Sequence, residues 1–309
     1  MDEGRPRIVA VVGPTAAGKT DLAAELARSL NGEVVSADSR QVYRRLDIGT
    51  AKPPAELRRE IPHHLLDVVE PDETFDVAQY QQLARAAIAQ IRGRGREVIV
   101  CGGSGLYLQA LTEGLCEVPP ADAELRAELS RTRDTLGLEV LYRELTEVDP
   151  VAAERIAPRD AVRIIRALEV ARLTGRPLSE WQREHAFADR PFEVLTFVVS
   201  PPVPLLHERI EQRAQAMWEA GLLEETRDVL EAGFDGALAS LQAIGYREAQ
   251  EVLRGQIDRE EALAQICRQT ARLAKRQRTW FRRSEEARWL DGTESLGGLR
   301  SEVRNFLAG

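Results

Sequence analysis

Residues 8–20, Ile8-Val9-Ala10-Val11-Val12-Gly13-Pro14-Thr15-Ala16-Ala17-Gly18-Lys19-Thr20, decide the fold. An unbroken apolar run meets the pattern Gly13-x-x-x-x-Gly18-Lys19-Thr20, and apolar residues then recur at Leu22, Ala23, Leu26 and Leu30. This order predicts a buried strand, a tight loop and a helix. The glycines permit backbone angles that a Cβ would penalise, so successive N–H groups can curl around an anion. The helix N-terminus adds partial positive charge, Lys19 a point charge, and Thr20 an oxygen for a divalent cation. The motif predicts a phosphate ligand without saying which phosphate, or what becomes of it.

Working outward, Glu33-Val34-Val35-Ser36-Ala37 predicts a second strand that delivers Asp38, Ser39, Arg40 and Gln41 to its end. Strand C-termini line the ligand crevice of an open parallel sheet, which places Asp38 near Lys19. Asp38 and Ser39 also suit the cap of a following helix. Apolar spacing from Asp76 to Arg92 predicts a helix closed by Gly93-Arg94-Gly95. Glu97-Val98-Ile99-Val100-Cys101 predicts a strand running into a second glycine turn, Gly102-Gly103-Ser104-Gly105. That strand does not end in the acid of a Walker B element, which speaks against an ATP-driven motor or a GTPase.

The texture changes after Pro119-Pro120. Residues 120–185 read as an all-helical insertion, with Arg159, Arg163 and Arg166 on one helix face. The core is expected to occupy 1–119 and 186–309. Glu193–Ser200 returns as a strand; Arg209 and Arg213, one turn apart, form a candidate clamp over phosphate. Met217 and Trp218 read as packing residues. Arg268, Arg272, Lys275, Arg276, Arg278, Arg282 and Arg283 follow with no acid among them. In a chain of net charge −8, that concentration suggests a polyanion-facing surface. The residues after Gly292 read as a weak helix or tail.

Composition is that of an ordinary folded protein, and no run of 18 apolar residues suggests a membrane span. Cys101, Cys116 and Cys267 have neither metal-ligand spacing nor a disulfide framework, so a reducing cytoplasm is expected. A structural role and a substrate contact are both open for His63 and His64.

Seven segments taken together resemble the bacterial tRNA dimethylallyltransferases, also called tRNA isopentenyltransferases. They are Gly13–Thr20, Ser36-Ala37-Asp38-Ser39-Arg40-Gln41-Val42-Tyr43, Asp47–Pro53, Gly102–Tyr107, Arg166-Ala167-Leu168-Glu169-Val170, Ile244–Glu248 and Ala274–Phe281. The resemblance spans roughly residues 6–283. It implies an α/β P-loop core with a parallel sheet flanked by helices, plus a helical insertion, with the anticodon loop between them. The implied activity moves a dimethylallyl group from dimethylallyl diphosphate to N6 of adenosine 37, in tRNAs reading codons that begin with U.

Carried onto this chain, the resemblance implies that Gly13, Thr15, Ala16, Ala17, Gly18, Lys19 and Thr20 hold the donor diphosphate with Arg213, and that Mg²⁺ sits near Thr20. Asp38 would accept from adenine N6, so Asp38, Lys19 and Arg213 form the catalytic set. Ser39, Arg40 and Gln41 would contact the flipped base. Ser104 and Arg126 would be tRNA contacts or a channel-lining pair, and Val162, Arg163, Ile164, Ile165 and Arg166 would meet the anticodon stem-loop. A monomer is expected. Two residues depart from the family pattern: Ala17 stands where Ser is common, and Ser104 where Thr is. The alternatives are a small-molecule or nucleoside kinase using ATP, and a binding module without catalysis.

Overall fold

The computed structural model describes residues 4–185, 189–284 and 286–309. The first part of the chain runs β1 (Arg7–Val12), α1 (Lys19–Leu30), β2 (Gly32–Ser36), α2 (Ala55–Glu60), β3 (His63–His64), α3 (Val77–Gly93), β4 (Glu97–Gly102) and α4 (Gly105–Glu113). A helical stretch follows: α5 (Ala123–Leu136), α6 (Leu138–Val148), α7 (Pro150–Arg155), α8 (Ala161–Thr174) and α9 (Leu178–His185). The last part is β5 (Glu193–Val199), α10 (Val203–Glu219), α11 (Leu222–Glu231), α12 (Tyr246–Leu253), α13 (Arg259–Phe281), β6 (Arg288–Leu290) and α14 (Leu296–Ala308).

The strands form one parallel sheet in the order β3-β2-β4-β1-β5-β6. Alternation along each strand feeds two apolar layers. Val9 and Val11 face one layer with Val34, Ile99 and Phe197; helices α1, α10 and α14 cover it through Leu26, Ile210 and Val303. Ile8, Ala10 and Val12 face the other with Val35, Val98 and Val100, under Tyr80 and Ile88 of α3 and Leu111 of α4. β1 is continuously apolar because it is buried on both faces. It is the central strand from which the phosphate loop emerges. The helix α13 contributes Ile266 to a third cluster, Ala274 to the first layer and Phe281 to the second.

Chain contacts divide the protein into two compact units. One comprises Met1–Thr112 with Pro191–Gly309, and the other Glu113–Arg190. The sequence-derived boundary at 186 lies outside the described residues. In the helical unit, Leu129, Leu141, Leu145, Ile164 and Leu168 form a separate core. Seven residues of α8 are buried, which explains why its apolar positions make no single stripe.

The structure revises several local readings. The helical insertion is broken at Gly137 (φ 92°), which separates α5 from α6, and Gly221 (φ 103°) likewise separates α10 from α11. The segment after Gly292 is not a loose tail: α14 buries Leu299 and Val303 against the sheet. No helix follows Asp38 directly, since the next begins at Ala55, so a helix-capping role for Asp38 is excluded. The three cysteines are free, and no described helix is long and apolar enough to cross a membrane.

Candidate active site

The loop after β1 is shaped by close backbone approach. Gly13 has φ 140°, and a Cβ there would lie 2.2 Å from the Val199 carbonyl oxygen at the end of β5. Ala16 (φ 62°) and Gly18 (φ 93°) take left-handed angles that turn successive amides the same way. Among the described residues, the N–H groups of Ala16, Ala17, Gly18, Lys19 and Thr20 make no hydrogen bond to the chain. Five consecutive free donors at a helix N-terminus form an anion cradle. The departure at Ala17 leaves these backbone donors intact; its carbonyl accepts from Arg209 Nη1 at 3.1 Å.

Two cations serve the cradle. Lys19 Nζ donates to the Pro14 carbonyl at 2.6 Å. Burial pulls its pKa down to about 8, with Cys101 and Asp38 opposing and nearby Arg213 assisting. Arg213 borders a cavity of about 390 Å³ with Thr15 and Asp38. Burial lowers its pKa as well, countered by the Asp38 carboxylate. Arg213 makes no hydrogen bond or ion pair among the described residues, so its guanidinium is desolvated and available. The two arginines of the expected clamp therefore divide: Arg209 braces the loop, and Arg213 is the free charge. Cys101 is no competing nucleophile, because burial raises its thiol to about 11.

Asp38 sits where β2 ends. Its Oδ1 accepts the Arg40 N–H at 2.8 Å, a local turn that fixes the carboxylate. The Ser39 N–H donates to Ser104 Oγ at 3.0 Å, and the Ser104 N–H donates to the Ala37 carbonyl at 3.1 Å. Ser104 thus ties the two strand-end turns together, and both serines border the cavity. Arg40 is exposed and donates to the Ala239 carbonyl. Gln41 has a different task from the base contact expected. Its Oε1 accepts from Ser36 Oγ at the end of β2 and its Nε2 donates to the carbonyls of Thr50 and Ala51, so the amide ties β2 to the 47–52 loop.

That loop forms part of the cavity wall through Gly49 and Thr50. Glu225 accepts from the N–H groups of Asp47, Ile48 and Gly49 and from Tyr246 Oη. Buried Lys52 donates to Tyr43 O, Asp47 Oδ1 and Asp67 Oδ1, each at 2.6 Å. The remaining wall is largely apolar, with Ile210, Ile244, Ile266 and Leu273. Met217 joins it, so it is more than a packing residue; Trp218 packs in the third cluster. His63 and His64 belong to the sheet edge, where His64 meets the buried carboxylate of Glu33 at 2.6 Å.

Sequence reasoning missed Gln277 as a site residue. Its Oε1 accepts the Thr15 N–H at 2.8 Å and its Nε2 donates to the Gly103 carbonyl at 3.0 Å. The available signal was its place at helical spacing between Ala274 and Phe281, a lone amide on an apolar stripe.

In the helical unit, the predicted residues separate by burial. Val162 is 80% exposed and Arg163 is exposed beside Asp160. Ile164 and Ile165 are core residues of this unit, so their side chains are withdrawn from any nucleic-acid contact. Arg126 and Arg166 both grip Glu169, which is fully buried. Burial alone would raise the Glu169 pKa, but hydrogen bonds from Arg166, Arg126 and the Asp122 N–H bring it below its ordinary value. Arg126 and Ser104 lie in different units.

A cradle at the end of the central strand of a parallel sheet, under a cavity holding an unpaired guanidinium and a carboxylate, defines a P-loop α/β protein built for a phosphorylated ligand. The IPP transferase family pattern matches residues 41–284. The tRNA dimethylallyltransferase of Geobacter metallireducens is 47% identical over 99% of both chains. That of Anaeromyxobacter dehalogenans is 50% identical over 96% of this chain and 97% of its own. Among solved structures, the tRNA isopentenylpyrophosphate transferase of Bacillus halodurans is 37% identical with a TM-score of 0.72, covering 98% of this chain and 97% of its own. A eukaryotic dimethylallyltransferase captured acting on tRNA is 27% identical with a TM-score of 0.84, covering 98% of this chain and 80% of its own. The chain belongs to the tRNA dimethylallyltransferase (IPP transferase) family.

Proposed function

We propose that this protein transfers a dimethylallyl group from dimethylallyl diphosphate to N6 of adenosine 37 in tRNAs reading codons that begin with U. The observation that carries the reading is the cavity lined by Thr15, Asp38 and unpaired Arg213, which opens where the loop of five free amides begins, with Lys19 near enough to feel the charges of both Asp38 and Arg213. The adenine amine is a poor nucleophile, because its lone pair is delocalised into the ring. Asp38 orients it and takes the proton it loses as the new C–N bond forms. The donor C1–O bond breaks with allylic positive character on carbon, and negative charge gathers on the departing diphosphate. The amides of residues 16–20, Lys19 and Arg213 stabilise that charge. The apolar wall of Ile210, Met217 and Leu273 suits a hydrocarbon tail and excludes water.

The residues fit a magnesium ion. Thr20 carries its hydroxyl on the first turn after the cradle and makes no hydrogen bond among the described residues. No group of three or more His, Cys, Asp or Glu side chains converges among the described residues. A cation here would be held by the Thr20 oxygen and the donor phosphates, the usual habit of Mg²⁺. When bound, it would add positive charge to the diphosphate.

In the core, the exposed cations of α13 suit contact with the phosphates of the tRNA, and in the helical unit, taken by itself, Val162 and Arg163 are the exposed members of the predicted set. The kinase alternative has no need of the cations Arg272, Lys275 and Arg282, which are exposed and have no ion pair among the described residues. Radiolabelled dimethylallyl diphosphate and labelled ATP, each offered with unmodified tRNA, test the reading: label from the first alone enters tRNA. Asp38→Ala lowers the single-turnover rate by about 10²–10⁴-fold with little change in tRNA affinity. Equal rates at saturation would remove Asp38 from its role.

A further inference from the structure

Gln277 sits where three segments of the chain meet. It stands on α13 between Ala274, which packs in one layer, and Phe281, which packs in the other. An uncharged amide on such a stripe is retained only if both ends find partners. Here Oε1 accepts from Thr15 N–H at 2.8 Å and Nε2 donates to Gly103 O at 3.0 Å. Gly103 leaves room for it, since a Cβ there would lie 2.3 Å from Nε2. Three residues on, Trp280 fills the space over Gly105, where a Cβ would lie 2.1 Å from the indole. Two of the three glycines of the second turn, Gly103 and Gly105, are thus matched to one face of α13.

Thr15 immediately precedes the five free amides. Gly103 immediately precedes Ser104, whose hydroxyl holds the Ser39 N–H beside Asp38. Gln277 is therefore the link in a path of hydrogen bonds and single peptide steps from the phosphate cradle to the Asp38 turn. We propose that Gln277 is a positioning residue that fixes the cradle against the Ser104–Asp38 turn, so that donor carbon and acceptor amine meet in register. The proposal rests on the transfer reading above. It takes no amide from the cradle itself, so Gln277 acts on the geometry of transfer rather than on grip of the diphosphate.

Gln277→Met in the full-length protein keeps side-chain length and removes both hydrogen-bonding ends. Transfer kcat from labelled dimethylallyl diphosphate to unmodified tRNA should fall about 10–100-fold, with affinity for inorganic diphosphate within about threefold of wild type. The Thr15 amide, followed by hydrogen exchange in ¹⁵N-labelled protein, should exchange about tenfold faster or more. Gly103→Ala presses on Nε2 from the opposite side, so it should give the same losses, and the double variant should add nothing further. Should Gln277→Met fail to fold, Gly103→Ala carries the same readings. An unchanged kcat, or a loss of diphosphate affinity as large as the loss of kcat, overturns the proposal. If the wild-type protein transfers no label, the transfer reading falls instead. Thr15 exchange then decides the clamp alone: faster exchange in the variant sustains it, and unchanged exchange overturns it.

Discussion

The two arginine-rich helices, α8 and α13, look alike in sequence and differ in what balances their charge. Around α8, Arg166 grips buried Glu169, Arg163 pairs with Asp160, and Arg172 bridges Glu128 and Glu144. Along α13, Arg268 pairs with Glu261, but Arg272, Lys275, Arg276 and Arg282 are exposed and have no ion pair among the described residues. Arg283 lies over the Trp280 ring, 5.4 Å from its centroid. The first helix uses much of its charge to hold its own unit together. The second offers its charge outward. A run of cations becomes a polyanion footprint only where the fold leaves it unneutralised.

The largest effect that could break this contrast lies at Glu169. Glu169→Ala would take from Arg126, Arg166 and the Asp122 N–H their shared buried acceptor and cost about 2–3 kcal/mol, since both arginines retain access to water, read by denaturant unfolding. A change under about 1 kcal/mol would mean that these arginines are not structural. Next, replacing Arg272, Lys275 and Arg282 together by Gln, and leaving Arg276, which borders the cavity, should flatten the slope of log tRNA affinity against log salt by about two to three. An unchanged slope would show that α13 faces no phosphate.

Lys19 is a third kind of cation, neither paired with a carboxylate nor exposed, and pH isolates it. Its folded pKa, about 8, lies below the ordinary 10.5, so the unfolded chain binds more protons between those values and stability rises across that window. Diphosphate needs the charged form, so donor binding takes up a proton above pH 8. Affinity should then fall by up to about tenfold per pH unit, measured by titration calorimetry in two buffers of different ionisation heat. The smallest effect is expected from Arg172→Gln. The pairs stand at the surface, with Glu128 exposed and Glu144 half-buried, so stability should change by about 1 kcal/mol or less and the salt slope of tRNA binding not at all.

Legibility followed the range of the interactions. The strand–loop–helix at 8–30, the strands at 33–37, 97–101 and 193–200, each within a residue of its observed bounds, and the approach of Asp38 to Lys19 were readable because each depends on local periodicity or on where parallel strands end. The tasks of Gln41, Arg209 and Gln277 were not readable. Each is set by backbone groups far away in the chain or across a loop, such as Gly103 for Gln277 and Ala17 for Arg209. Ile164 and Ile165 were misplaced for the same reason. A helix buried on several sides has no outward stripe to mark which positions face away from solvent.

By itself, the amino-acid sequence determined the phosphate loop, the parallel α/β core around it and the family to which the chain belongs. Those follow from glycine placement, apolar period and motif order, which act over a few residues at a time. Only the tertiary structure decided which cations stay free, which glycines make room for Gln277 and Trp280, and which arginine serves the cavity. Neutralisation and close approach depend on distances between residues far apart in the chain, and those distances are fixed only when the layers pack.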